Sequence, residues 1–194
     1  MSDLLHTGDT VALVSPSISL NRKRDINVDG VVRYLTSLGF KVIVAPSCYS
    51  GLTLTADSDK AKADDIMAMY RNLEVKALFA LHGGAASLRV LPFFDFDEIK
   101  KNPKPLIGFS DTSSIQMGIY SQTGLPYISG FLGEYELRQG EVDALVVQDL
   151  RTVLKGEKFY SREGVSLRGG VAEGVLIGGN LSIFSDLTGT PYYP

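Results

Sequence analysis

Sulfur and imidazole are scarce in this chain. Cys48 is the only cysteine among 194 residues, which excludes an intramolecular disulfide and any cysteine-built metal cage. There are two histidines, His6 and His82, and neither is spaced from carboxylates as a metal site requires, so no metal is expected. No run approaches the roughly 18 apolar residues that span a bilayer. The opening "MSDLLHTGDT" is acidic and has no apolar signal core, which leads to the expectation of a cytoplasmic protein with no membrane partner. Basic clusters are also few. Nineteen Lys and Arg stand against 22 Asp and Glu, giving a formal charge of −3. The one basic run, Arg22-Lys23-Arg24, reads as a solvated loop, so no nucleic-acid partner is expected. Neither G-x-G-x-x-G nor G-x-x-x-x-G-K-[ST] occurs, which leaves nucleotide-cofactor binding without support.

What is present is an ordinary apolar fraction, 44% against 21% charged residues, enough for a real core. "DTVALV" (9–14), "KVIVAP" (41–46), "ALFAL" (77–81), "PLIG" (105–108) and "LPYIS" (125–129) are short, largely apolar runs. Between them lie helix-length segments at 25–38, closed by Gly39, and at 58–72 and 111–121. Largely apolar strands separated by helices predict an α/β fold of flavodoxin-like character, a parallel sheet covered on both faces. The texture changes after residue 130. A helix is predicted over 141–154, then a polar linker, then a glycine-bearing stretch, "SLRGGVAEGVLIGG", that reads as β-rich. The expected organisation is an N-terminal α/β domain over 1–133, a helix and linker over 134–163, and the start of a β-rich second domain over 164–194. An uncovered apolar edge is expected over 181–194.

In a parallel sheet ligands sit beyond the carboxyl ends of the strands, which draws attention to "LHGG" and "GFSD". Ser110 follows a strand and precedes a helix. The amide groups and positive dipole end there favour a developing anion. If Ser110 attacked a carbonyl, the N–H of Asp111 would lie close to the oxyanion. A second N–H would come from the Gly83-Gly84 turn, where the lack of side chains lets backbone approach a substrate. The logic is that of a nucleophile elbow without G-x-S-x-G. The alternative is a helix cap, since "SDTSS" offers five capping residues in a row. His82 ends a strand next to the glycine pair. It is either a base facing Ser110 or a loop histidine hydrogen-bonded to backbone or substrate. Asp95, Asp97 and Glu98 in "FDFDEIK" read as a solvated turn or caps, and Cys48 as a packing residue.

Taken in order, "GDTVALVSPS", "LTSLGFKVIV", "VKALFALHGGAASLRVLPFFD", "NPKPLIGFSDTSSI" and "LIGGNLSIFSDLTGTPYYP" resemble the LD-carboxypeptidase family of serine peptidases, which includes the microcin C immunity hydrolases. "KPLIGFSD" and the "GGNLS…GTP" segment are the specific matches. The resemblance implies a two-domain serine peptidase with a Ser-Glu-His triad that works in the cytoplasm without metal or other cofactor. It implies Ser110 as nucleophile, with Asp111 and Gly84 as oxyanion-hole donors. Gly83, His82 and Asn180 are candidate substrate contacts. The substrate class is a small murein peptide, cut between an L- and a D-centre with release of terminal D-alanine during cell-wall recycling. Two departures stand out. The family's R-G-G-Y-G-like turn is His82-Gly83-Gly84-Ala85-Ala86 here, and the family's Glu and His lie beyond "GGNL…GTP", where this sequence has no counterpart. The 194 residues are therefore expected to be part of a longer enzyme. The alternatives are an immunity hydrolase of peptidyl-nucleotides, a truncated non-catalytic binding module, or His82 acting as the base. A homodimer is the default assembly.

Overall fold

The computed structural model describes residues 5–18, 26–50, 56–137, 141–157 and 164–194. The basic run at 22–24 and most of the expected linker, 158–163, lie outside them. Five strands form one all-parallel sheet: β1 (Thr10–Val14), β2 (Lys41–Val44), β3 (Val75–Ala80), β4 (Leu106–Gly108) and β5 (Ile128–Ser129), ordered β2-β1-β3-β4-β5. This is the flavodoxin-like order, whose switch point lies between β1 and β3. Helices α1 (Val28–Ser37), α2 (Ala56–Arg71), α3 (Phe96–Lys101) and α4 (Ser113–Thr123) connect the strands.

The apolar runs make the centre of the core. Val11 to Val14, Ala77 to Leu81 and Ile107 are fully buried, each large side chain contributing roughly 1.5–3 kcal/mol of burial. Phe79 meets Phe131 edge-on at 5.9 Å, and Phe131 stacks on Tyr34 at 5.9 Å. Local signals place the helix ends. Asn27 accepts from the Gly30 N–H at 2.8 Å at the start of α1, and Gly39, with φ 98°, turns the chain after it. Asp95 accepts from the Glu98 N–H at the start of α3. The "FDFDEIK" carboxylates thus open a helix that the polar pattern had concealed, as does the 3-10 segment Ser87–Phe93.

Past the sheet come α5 (Gly133–Leu137) and α6 (Ala144–Leu154), the second close to expectation. Beyond α6 the described residues resume at 164–194. They contain no strand, but an extended run followed by α7 (Leu181–Asp186). Near its end the run meets the sheet domain, where the Tyr127 hydroxyl donates to the Gly178 carbonyl at 2.9 Å and accepts from the Gly178 N–H at 3.1 Å. The exposed large apolar side chains of this stretch are Val165, Leu167, Val171, Val175, Leu176, Ile177, Leu181 and Tyr193. Within the edge expected over 181–194, Leu187 is fully buried and Phe184 meets Tyr193 at 5.1 Å.

Lys104 ties the sheet to α2. Its Nζ donates to the carbonyls of Met69 (2.9 Å), Tyr70 (2.7 Å) and Asn72 (2.5 Å). These include orphan acceptors at a helix C-terminus, where the dipole favours a cation. The next residue's carbonyl receives the Leu78 N–H at 3.0 Å, so the clamp also sets where β4 begins. Lys104→Met should destabilise the fold by about 2–3 kcal/mol, the range for charged hydrogen bonds lost with burial of their acceptors. The check is a fall in urea midpoint at unchanged m-value; an unchanged midpoint would contradict the clamp.

Candidate active site

At the end of β4 the backbone turns sharply. Gly108 sits so close to its neighbours that a Cβ there would stand 2.8 Å from Thr112 Cγ2 and 3.0 Å from Ala80 Cβ. Phe109 is fully extended, and Ser110 then enters the left-handed region at φ 61°. A non-glycine residue in that region costs on the order of 1–2 kcal/mol, and a helix N-cap has extended geometry instead. Ser110 is thus not a cap. Neither Phe109, where the 3-10 turn Ser110–Thr112 opens, nor Thr112, where α4 opens, makes a side-chain capping bond.

The turn aims Ser110 at the glycine pair. A Cβ on Gly83 would lie 3.0 Å from Ser110 Cβ and 3.1 Å from its Oγ, so glycine is required for the two chains to approach. Gly84 has φ 144° and Ala86 φ 76°, conformations that coil the strand end into a turn. Ala85 pairs with Ile18 through both backbone groups, at 2.9 and 3.1 Å. The Gly84 N–H finds no acceptor among the described residues, and Asp111 lies in the open first turn that follows Ser110.

A clasp that sequence reasoning did not anticipate holds these two turns together. Asp111 is buried, and its Oδ2 accepts from the Ser87 N–H at 3.0 Å. In return the Ser87 hydroxyl donates to the Asp111 carbonyl at 2.5 Å and shares a 2.6 Å contact with Ser114 Oγ. Behind the clasp, the nearly fully buried Asp59 pairs with Arg89 at 2.7 Å, pinning the 3-10 segment Ser87–Phe93 to α2. Lys62 is also buried there. Burial lowers its pKa, opposed by the nearby carboxylates of Asp59 and Asp111. The only trace of this network in the sequence is that Ser87 closes the "GGAAS" stretch.

His82 does not face Ser110 as a base would. Its Nδ1 lies 2.6 Å from the Gly83 carbonyl and its Nε2 2.9 Å from Ser15 Oγ. A carbonyl only accepts, so Nδ1 carries the proton, and in the neutral ring Nε2 accepts from the Ser15 hydroxyl. His82 and Ser15 are buried, and Gly83 is half-buried. Burial lowers the His82 pKa and Lys62 adds to the effect, while the Gly83 carbonyl, Glu134 and Asp111 oppose it. The loop-histidine reading prevails, with Ser15 as a partner the sequence did not reveal.

Asn180 precedes α7 without capping it and lines an open cleft of about 440 Å³ with Phe109, Ser129, Gly130, Glu136 and Gly179. Gly179 packs against the start of α4, where a Cβ would stand 2.9 Å from Ser113 Cβ. Tyr135 adds an aromatic wall, edge-on to Phe109 at 5.3 Å. Ser110, Asp111, Gly83, Gly84 and Asn180 therefore gather at one end of the sheet. Among the described residues no group of three metal-ligating side chains occurs, and no helix is long and apolar enough to cross a membrane.

Residues 11–130 match the LD-carboxypeptidase N-terminal domain. The chain belongs to the LD-carboxypeptidase family. It is 30% identical over 192 residues to a probable murein peptide carboxypeptidase of Bacillus subtilis, covering 97% of this chain and 59% of that protein. It is 26% identical over 220 residues to the microcin C7 self-immunity protein MccF of Escherichia coli, covering 98% of this chain and 64% of that one. Among solved structures, an MccF-like protein from Bacillus anthracis superposes with a TM-score of 0.83 at 28% identity, covering 98% of this chain and 65% of that one. The chain thus spans about three-fifths of these relatives.

The histidine of the His-Gly-Gly turn gives a pH signature. Because burial depresses its folded-state pKa, the unfolded chain binds a proton more readily below the ordinary value of about 6.5. Stability should therefore fall as pH drops through that value, and fall less steeply in His82→Asn. Urea unfolding between about pH 5 and 7.5 checks this; identical slopes in the two proteins would contradict it.

Proposed function

We propose that the full-length protein is a serine-type LD-carboxypeptidase with Ser110 as its nucleophile. The observation that carries this reading is the left-handed Ser110 at the end of β4, with its hydroxyl against the glycine turn. A strained, exposed turn of this kind is how a strand presents a nucleophile ahead of a helix. Similarity to a murein peptide carboxypeptidase supports the substrate class.

In this mechanism the substrate's L-residue carbonyl seats over Ser110 with its oxygen between the N–H groups of Asp111 and Gly84. Ser110 Oγ attacks the carbonyl carbon while its proton passes to a histidine base, oriented by a glutamate. Both come from the family's C-terminal domain. The tetrahedral oxyanion is held by the two amides. Its collapse breaks the C–N bond, and the base returns the proton to the departing D-alanine amine. Water then attacks the Ser110 ester by the same route and frees the tripeptide acid. Asn180 and the Phe109–Tyr135 wall border the cleft that the acyl portion occupies. The reaction belongs to cytoplasmic recycling of murein tetrapeptides and uses no metal.

A second reading is favoured by the likeness to MccF and its structural relative. It is also favoured by the His82-Gly83-Gly84-Ala85-Ala86 turn, which lacks the arginine and aromatic side chains that the family resemblance leads one to expect there. On this reading the same serine chemistry acts on a peptidyl-nucleotide. Ser110→Ala should lower tetrapeptide hydrolysis by the full-length protein by about 10⁴-fold or more. Retained hydrolysis would refute the nucleophile assignment. Turnover of an aminoacyl sulfamoyl adenylate in preference to tetrapeptide would move the substrate to the second reading.

A further inference from the structure

The carbonyl that His82 binds and the amide assigned to the oxyanion hole belong to one peptide unit. The Gly83 C=O and the Gly84 N–H share the Gly83–Gly84 bond, which is planar and trans, so the two groups point in opposite directions. His82 Nδ1–H holds the carbonyl end at 2.6 Å. The ring is held in turn by the Ser15 hydroxyl on Nε2 at 2.9 Å. Ser15 follows β1 and His82 ends the β3 arm, so the pair sits at the switch point of the sheet, one strand away from Ser110.

We propose that Ser15 and His82 form a positioning relay that orients and polarises the Gly83–Gly84 peptide, setting the Gly84 N–H as an oxyanion donor to the Ser110 adduct. The inference rests on the Ser110 nucleophile reading. The physical grounds are independent of that reading. Glycine at both positions leaves the peptide plane without side-chain restraint, at φ 144° for Gly84. A plane so placed can rotate unless its carbonyl is fixed. Among the described residues the turn's other anchors lie outside the pair, at Leu81 to Val14 and Glu134, at Ala85 to Ile18 and at Ser87 to Asp111. Donation to a carbonyl also strengthens the donor at the other end of the same amide, because hydrogen bonds in a chain polarise one another. Ser15 fixes the tautomer: with its hydroxyl donating to Nε2, the ring proton stays on Nδ1, facing Gly83.

The experiment compares three variants of the full-length protein by their rate of phosphonylation with a fluorophosphonate. In that reaction Ser110 Oγ attacks phosphorus, fluoride leaves, the hydroxyl proton passes to the enzyme's base, and the phosphoryl oxygen takes the oxyanion position. His82→Leu removes both contacts. His82→Gln places its amide at the Nε2 end and keeps only Ser15. His82→Asn places an N–H at the Nδ1 end and keeps the Gly83 bond. The maximal inactivation rate should fall about 10- to 100-fold in the Leu and Gln variants, short of the 10²–10³-fold for outright loss of a donor. The Asn variant should stay within about threefold of wild type, and the reagent's half-saturation concentration should hold in all three. If His82→Leu does not fold, the Gln and Asn pair decides. Rates unchanged in Leu and Gln, a change confined to half-saturation, or Asn falling as far as Gln would each overturn the relay while leaving Ser110 as nucleophile. A wild-type protein that takes no label at Ser110 would overturn the reading on which both rest.

Discussion

The reciprocal clasp between Ser87 and Asp111 is the constraint on which the candidate site depends. One carboxylate and one hydroxyl join two turns that leave different strands, β3 and β4, where each runs into a short 3-10 segment. The carboxylate takes the Ser87 amide and the hydroxyl takes the Asp111 carbonyl, so each residue supplies both a donor or acceptor side chain and a backbone group. The clasp is buried, where a hydrogen bond to a charged group is stronger than at the surface and costlier to break. With it closed, Ser110 and Gly83 stand in contact; the strain of φ 61° at Ser110 is borne by this packing.

Around the clasp the fold arranges successive supports. The parallel sheet brings the ends of β1, β3 and β4 side by side, which places Ser15, His82 and Ser110 in a row. Gln116, one turn into α4, donates its amide to the carbonyls of Leu106, Gly108 and Ile128 at 2.9–3.1 Å, joining β4 to β5 beneath the elbow. Asp59 with Arg89 anchors the far end of the glycine turn to α2. Each is a buried polar bond at the rim of an apolar core. Such bonds add modestly to stability and more to geometry, because their distances tolerate little displacement.

Much of this architecture was legible in the sequence. Short runs that are almost wholly apolar, such as "DTVALV" and "ALFAL", have little solvent face and so identify themselves, and glycines such as Gly39 mark helix ends. Ser110 was conspicuous for its place between an apolar run and a helix, but the pattern of "SDTSS" fits a cap equally well. The choice rested on a backbone angle that composition does not encode. His82 was legible as a strand-end residue, yet its partner lies 67 positions away, across a sheet pairing that periodicity does not specify. Ser87 and Asp111, 24 residues apart, were hidden for the same reason.

The chain belongs to the LD-carboxypeptidase family, and the elbow is the feature that turns that membership into a chemical claim. The claim is that an acyl group of the substrate passes through an ester on Ser110. Acid-quenched reactions of the full-length protein with murein tetrapeptide, taken before the steady state and analysed by intact and peptide mass spectrometry, test it directly. The account predicts an adduct equal in mass to the substrate less one molecule of D-alanine, located on the peptide that carries Ser110. An adduct on another side chain, or full turnover with Ser110 unmodified at every quench time, would contradict it.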